Sequence, residues 1–191
     1  PSIGIAPFTG EHTTVGELLK QADLAMYQAK TAGRNTLRFF DPDMQAVVTA
    51  RAGLETDLRS VLMQEEFLLH FQPQIHQSGR CVGVEALVRW AHPQRGMVSP
   101  AQFIPLAEEN GLILPLGRWV LHTACTLLAS WQSDPALSHL TMAVNVSSRQ
   151  FRHASFVDDV ARVLAITGAP SAQLKLELTE SLLVEDMETT I

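Results

Sequence analysis

The sequence predicts an α/β protein in which strands and helices alternate, giving an α/β sheet or barrel. Two observations carry this prediction. Four stretches, Phe67–Gln74, Gly83–Trp90, His139–Ser147 and Leu174–Glu180, alternate apolar and polar residues at the period of a strand. Between them apolar residues recur at helical spacing over lengths that suit crossover connections.

The elements follow in order. Pro1–Pro7 is a short apolar run that reads as the end of a strand. Thr14-x-x-Glu17 is a capping box, and Val15, Leu18, Leu19, Ala22, Met26 and Ala29 continue a helix from it until Gly33. Leu37–Phe40 closes this unit as a strand, and Asp41-Pro42-Asp43 breaks it. Val47, Leu54, Leu58, Val61 and Leu62 outline a helix joining two domains. After the strand Phe67–Gln74, Gly79 turns the chain into the strand around Glu85. Ser99-Pro100-Ala101-Gln102 combines an N-cap, a first-position proline and a capping glutamine, so a short helix runs to Gly111, bent at Pro105. Leu116, Val120, Ala124, Leu127 and Trp131 mark a longer helix, and Phe156–Ile166 another that closes at Gly168. No repeat or low-complexity tract interrupts the pattern.

The 191 residues suffice for one domain or parts of two. The apolar fraction of 46% and charged fraction of 18% are those of a globular chain. A net charge of −6 without a basic block argues against a groove for a nucleic-acid polymer. Cys81 and Cys125, far apart, point to a reducing compartment and no structural zinc, and the seven histidines show no metal-ligand spacing. No run is long enough to span a membrane, and no signal peptide is visible. The expected location is the cytoplasm, with upstream segments free to tether it to a membrane. The start at Pro1 and the acidic end before Ile191 read as cuts through a longer protein.

The strand faces carry the chemistry. Glu85, Leu87 and Arg89 share one face of their strand, opposite Val84, Ala86 and Val88. Thr141, Ala143, Asn145 and Ser147 share a face, as do Lys175, Glu177 and Thr179, and Leu68, His70, Gln72 and Gln74. Gln72, Glu85, Arg89, Asn145 and Glu177 are expected near strand ends, where barrel enzymes gather functional side chains. A carboxylate suits a hard cation and a guanidinium a phosphate, and two carboxylates with an amide oxygen and water make a shell for Mg²⁺ or Mn²⁺. Each residue also has a plainer reading. Glu85 alone is a solvated strand residue, Asn145 a hydrogen-bonded strand end, and Glu177 with Glu180 a solvated acidic edge. Arg89 alone is an ion-pair partner, Gln72 satisfies backbone, His70 packs, both cysteines are inert, and the 116–131 stripe is core. Glu85 and Glu177 as an acid/base pair of an unrelated barrel hydrolase is a further alternative.

Phe71-Gln72-Pro73, Gly83-Val84-Glu85-Ala86-Leu87-Val88-Arg89-Trp90, Phe103-Ile104-Pro105-Leu106-Ala107-Glu108-Glu109, Val144-Asn145-Val146-Ser147 and Glu177-Leu178-Thr179-Glu180-Ser181 occur in that order. Together they resemble the EAL-domain family of cyclic di-GMP phosphodiesterases. Ser2-Ile3-Gly4-Ile5-Ala6, Ala22-Asp23-Leu24-Ala25-Met26-Tyr27-Gln28-Ala29-Lys30 and Gly33-Arg34-Asn35 resemble the C-terminal end of a GGDEF diguanylate cyclase domain, whose signature loop would lie upstream. The resemblance implies a GGDEF remnant of α+β type over residues 1–40, a helical linker over 41–52, and the first part of an EAL domain over 53–191. It implies a modified TIM-type (β/α) barrel with an antiparallel first strand, about half of it present. It also implies that Glu85, Asn145 and Glu177 are metal ligands, with Glu85 catalytic. Gln72, Leu87 and Arg89 would contact the dinucleotide, and Glu180 would support an active-site loop. Lys30 and Arg34, one helical turn apart, match phosphate-contacting positions of the cyclase.

The implied reaction uses two Mg²⁺ or Mn²⁺ ions to generate a hydroxide that opens cyclic di-GMP to linear pGpG. The alternative is a non-catalytic cyclic di-GMP receptor. The resemblance leaves room for a homodimer through the EAL domain. The family's Asp-Asp motif and later Lys are not in this chain, and a whole barrel takes about 250 residues. The second metal site is therefore expected to be incomplete, the chain alone inactive, and its last strand left with an open edge.

Overall fold

The computed structural model describes residues 1–8, 14–61 and 66–178, with the backbone alone at Val61. By its contacts the chain divides into two units, Pro1–Asp57 and Leu58–Ile191.

The first unit pairs β1 (Ser2–Ile5) in parallel with β2 (Thr36–Phe39), joined by helix α1 (Val15–Thr31). The cap of α1 forms as the sequence requires. Thr14 Oγ1 accepts from the Glu17 amide at 3.2 Å, and Glu17 Oε2 accepts from the Thr14 amide at 2.9 Å. Those bonds, the backbone one first, hold the Glu17 carboxyl below its ordinary pKa. Ala25 and Ala29 are fully buried on α1. One helix, α2 (Pro42–Val61), runs unbroken through the position where the sequence reading ended the linker.

The second unit is built on a five-stranded sheet of β3 (Phe67–Ile75), β4 (Cys81–His92), β5 (Gly96–Val98), β6 (Thr141–Val146) and β7 (Leu174–Leu178). Its order is β3-β4-β6-β7, with β5 pairing β4. β4, β6 and β7 are parallel, with helices in the connections: α3 (Pro100–Asn110) and α4 (Ile113–Ser130) before β6, α5 (Ser148–Phe151) and α6 (Phe156–Thr167) before β7. β3 runs antiparallel to β4, as the resemblance implied and as the strand–helix alternation did not. β5 also pairs antiparallel.

The outer face of this sheet is the core. Phe67, Ala86, Trp90, Met142, Val144 and Val146 are buried there beside Phe103 of α3 and Leu116, Val120, Ala124 and Leu128 of α4. Trp90 stands edge-on to Phe103, and Phe67 packs 5.8 Å from both Trp90 and Trp119. The Trp90 indole donates to Glu66 Oε2 at 2.9 Å.

Several local expectations need correction. Ser99 occupies the N-cap of α3 but makes no side-chain cap bond; Pro100 and the Gln102 amide bonded to the Ser99 carbonyl start the helix instead. His70, expected to pack, is exposed. Arg34 is not on the helix of Lys30: α1 ends at Thr31, and Arg34 and Asn35 take left-handed backbone (φ 60° and 46°) after Gly33. Both Lys30 and Arg34 are exposed. Among the described residues no helix is long and apolar enough to cross a membrane.

Candidate functional site

Pairing register decides which side chains meet. Gln72 of β3 lies opposite Glu85 of β4, His70 opposite Leu87, and Leu68 opposite Arg89. In the parallel part Glu85 is level with Ala143, and Asn145 is level with Glu177. Paired residues point to the same side of a sheet, so Gln72, Glu85, Leu87, Arg89, Asn145 and Glu177 share the face opposite the helix-covered core. Residues far apart in sequence thus form one polar patch.

The closest contact in it joins two of the expected ligands. Asn145 Nδ2 donates to Glu85 Oε1 at 2.6 Å. Gln74, which sequence reasoning placed on this face without assigning it a role, reaches Glu177 Oε1 at 3.5 Å, a weak contact. Its signal was available, since Gln74 follows Gln72 at strand period. Asn145 and Gln72 are exposed, whereas Glu85 and Glu177 are half-buried. Glu85 stands in the middle of β4 rather than near its end, yet it is one residue from the end of the stretch of β4 that pairs with β6, which stops at Ala86.

Beyond Ala86 the sheet opens. β5 takes up the same edge of β4 only from Trp90, so Leu87, Val88 and Arg89 line a gap between β6 and β5. A cavity of about 440 Å³ lies there, bounded by Leu87 and Arg89, by Asn145 and Ser147, and by Pro105 and Gly117 of the covering helices. Arg89 folds back so that its Nη1 donates to the Val88 carbonyl at 2.9 Å.

The strand expected over His139–Ser147 spans Thr141–Val146, one residue short of its expected end. From there the chain turns into the four-residue helix α5, with Ser147 as N-cap and Gln150 completing a capping box. The spacing Ser147-x-x-Gln150 is the signal that finds this turn.

Among the described residues no group of three or more His, Cys, Asp or Glu side chains is placed to hold a metal ion. Among the oxygen donors on the patch are the Glu85 and Glu177 carboxylates and the Asn145 amide, a set that suits a hard cation finished by water or substrate oxygens. Glu180 lies outside the described residues.

Residues 55–191 match the EAL domain, and residues 1–36 match the diguanylate cyclase GGDEF domain. The chain belongs to the EAL-domain family. It is 42% identical over 191 residues to the bifunctional diguanylate cyclase/cyclic di-GMP phosphodiesterase MucR of Pseudomonas aeruginosa, covering all of this chain and 28% of that protein. It is 38% identical over 192 residues to the cyclic di-GMP phosphodiesterase PdeR of Escherichia coli, covering all of this chain and 28% of that protein. The solved structure of the PaMucR phosphodiesterase in complex with c-di-GMP superposes with a TM-score of 0.67 at 41% identity, over 72% of this chain and 56% of that one. This EAL-domain chain therefore spans little more than a quarter of the length of these curated relatives.

Proposed function

We propose that this EAL-domain chain carries part of the active site of a cyclic di-GMP phosphodiesterase that yields linear pGpG and depends on Mg²⁺ or Mn²⁺. Its sheet is, in this reading, part of a modified TIM-type barrel with β3 as the reversed strand. The observation that carries the proposal is the Asn145–Glu85 contact of 2.6 Å, with Glu177 level with Asn145 on the next strand. The similarity to two proteins named as cyclic di-GMP phosphodiesterases supports the substrate.

Glu85, Asn145 and Glu177 would hold the cation. When bound, such an ion lowers the pKa of water and stabilises charge on the phosphodiester oxygens. The residues of the chain supply binding and orientation. Arg89 offers a planar fork of donors to a phosphate once it leaves the Val88 carbonyl. Leu87 gives an apolar wall beside it, and Gln72, exposed opposite Glu85, presents an amide to the ligand. Glu180 would support the adjoining loop. Turnover is assigned to the intact protein carrying these residues, because the matching PaMucR phosphodiesterase has further chain beyond the part matched here.

The test is hydrolysis of cyclic di-GMP by that intact protein, with products separated by chromatography. Activity should disappear with a chelator, return with Mn²⁺ or Mg²⁺, and be abolished by Glu85→Ala. Turnover undiminished by the chelator would overturn the metal reading and favour an acid/base pair. Binding without turnover at saturating metal would make the protein a receptor.

A further inference from the structure

Three polar side chains are buried among the described residues, and two of them, Ser147 and Gln150, closely follow Asn145. Buried polar groups cost free energy unless each is bonded, so such a pair marks a place where the chain is held in one conformation. Gln150 Oε1 accepts from the Ser147 amide at 3.2 Å and from the Ser147 hydroxyl at 3.1 Å, while Ser147 Oγ accepts from the Gln150 amide at 3.2 Å. The end of β6 is thereby tied into a closed ring two residues after Asn145.

That ring is anchored from outside. The Gln150 amide lies over Gly117 of α4, in space that a β-carbon at 117 would occupy; such a carbon would sit 2.8 Å from Gln150 Oε1 and closer still to its nitrogen. No residue but glycine leaves the amide its seat. Arg149 adds a second tie, donating to the carbonyls of Glu108 and Glu109 at the end of α3.

We propose that Gln150, seated on Gly117, is a positioning residue that fixes the strand end bearing Asn145 so that its amide stands with Glu85 ready for the cation. The inference rests on the metal-binding reading above. Gln150 itself touches neither metal nor substrate. Residues that orient metal ligands typically contribute about 10- to 100-fold in affinity.

The experiment measures Mn²⁺ affinity of the intact protein by electron paramagnetic resonance of the free ion, and amide hydrogen exchange over residues 144–151 by mass spectrometry. Gln150→Met keeps the side-chain volume and removes the acceptor; it should weaken Mn²⁺ binding about 10- to 100-fold and speed exchange at Ser147 and Gln150. Gln150→Glu keeps both accepted bonds and should restore both readouts. Gly117→Ala, a second route to the same displacement should the Met variant not fold, should reproduce the loss. Wild-type Mn²⁺ affinity in folded Gln150→Met overturns the proposal. Failure of the underlying reading looks different: wild-type protein takes no Mn²⁺, or Glu85→Gln takes it as well as wild type.

Discussion

Replacing Gly83 by Ala should loosen both the sheet and the site, and the size of the effect follows from one close approach. Gly83 of β4 pairs with Thr141 of β6, and a β-carbon at 83 would lie 2.7 Å from the Thr141 carbonyl oxygen and closer to its hydroxyl. The hydroxyl can rotate away, at the loss of its 3.3 Å bond to the Val82 carbonyl. The carbonyl is backbone, in a strand paired with β4 here and with β7 from Met142 on, and moves only with that strand. β6 must therefore retreat until 2.7 Å becomes an ordinary contact of at least 3.4 Å. Overpacking of this kind costs about 1–3 kcal/mol, and for a chain of this size each kcal/mol lowers the melting temperature by about 2–4 °C. A fall of roughly 4–8 °C is the central expectation, read by thermal unfolding in far-UV circular dichroism. Glu85 lies two residues beyond Gly83 and Asn145 four beyond Thr141, so the retreat also opens the 2.6 Å Asn145–Glu85 contact. Mn²⁺ affinity should fall with stability. A Gly83→Ala variant that melts with wild type and binds Mn²⁺ equally would refute the reasoning, because it would show that the strands do not meet so closely.

Three further outcomes are expected elsewhere. Trp90→Phe removes the indole bond to Glu66 Oε2 from a fully buried site and should destabilise by about 2–3 kcal/mol in urea unfolding; a change under half of that would mean the bond is not formed. Burial pushes the Cys125 thiol up to about 11, so at pH 8 roughly one molecule in a thousand carries the thiolate there. An aromatic disulfide reagent should therefore titrate one fast thiol per native chain, Cys81, and two after denaturation; two fast thiols in the native chain would contradict the packing of α4. The depressed pKa of Glu17 means that its cap stabilises α1 fully above the unfolded carboxyl's pKa, and that this contribution fades as pH falls through the lower folded value. Hydrogen exchange at the first turn of α1 should rise through that window in wild type, and the rise should be absent in Glu17→Gln.

What could be read in the sequence was whatever is written locally. The Thr14–Glu17 cap, the alternation around Glu85 and the shared faces of Asn145 and Glu177 each lie within a few residues. The direction of β3 does not, because period two is identical for parallel and antiparallel strands and only the register of Gln72 against Glu85 settles it. β5 and α5 are too short for periodicity to detect. At Ser147 two local signals competed: alternation ran on from Thr141, while Ser147-x-x-Gln150 ended the strand. The cap prevailed: Ser147 closes its ring with Gln150 and starts α5. Arg34 was set one helical turn from Lys30 although Gly33 stops the helix between them; it lies beyond that stop in left-handed backbone. The Asn145–Glu85 contact spans 60 residues, and nothing local to either residue specifies it.

The spacing within Glu85-Ala86-Leu87-Val88-Arg89 acquires its meaning from where β4 parts from β6. Glu85 lies within the paired stretch, so its carboxylate is held at a fixed distance from the strand that brings Asn145. Leu87 and Arg89 lie beyond it, where the edge of β4 is left open until β5 begins at Trp90 and a cavity fills the gap. Metal donors need a rigid frame, since ligand geometry tolerates little displacement, whereas groups that grip a ligand need free volume in front of them. A slip of one residue between β4 and β6 would turn Glu85 into the helix-covered core. A slip of two would keep it on the right face but carry it into the open stretch, away from Asn145. On the proposed reading the motif is therefore a register mark as much as a set of functional groups, and the close approach of Gly83 to Thr141 at its head fits the observed register.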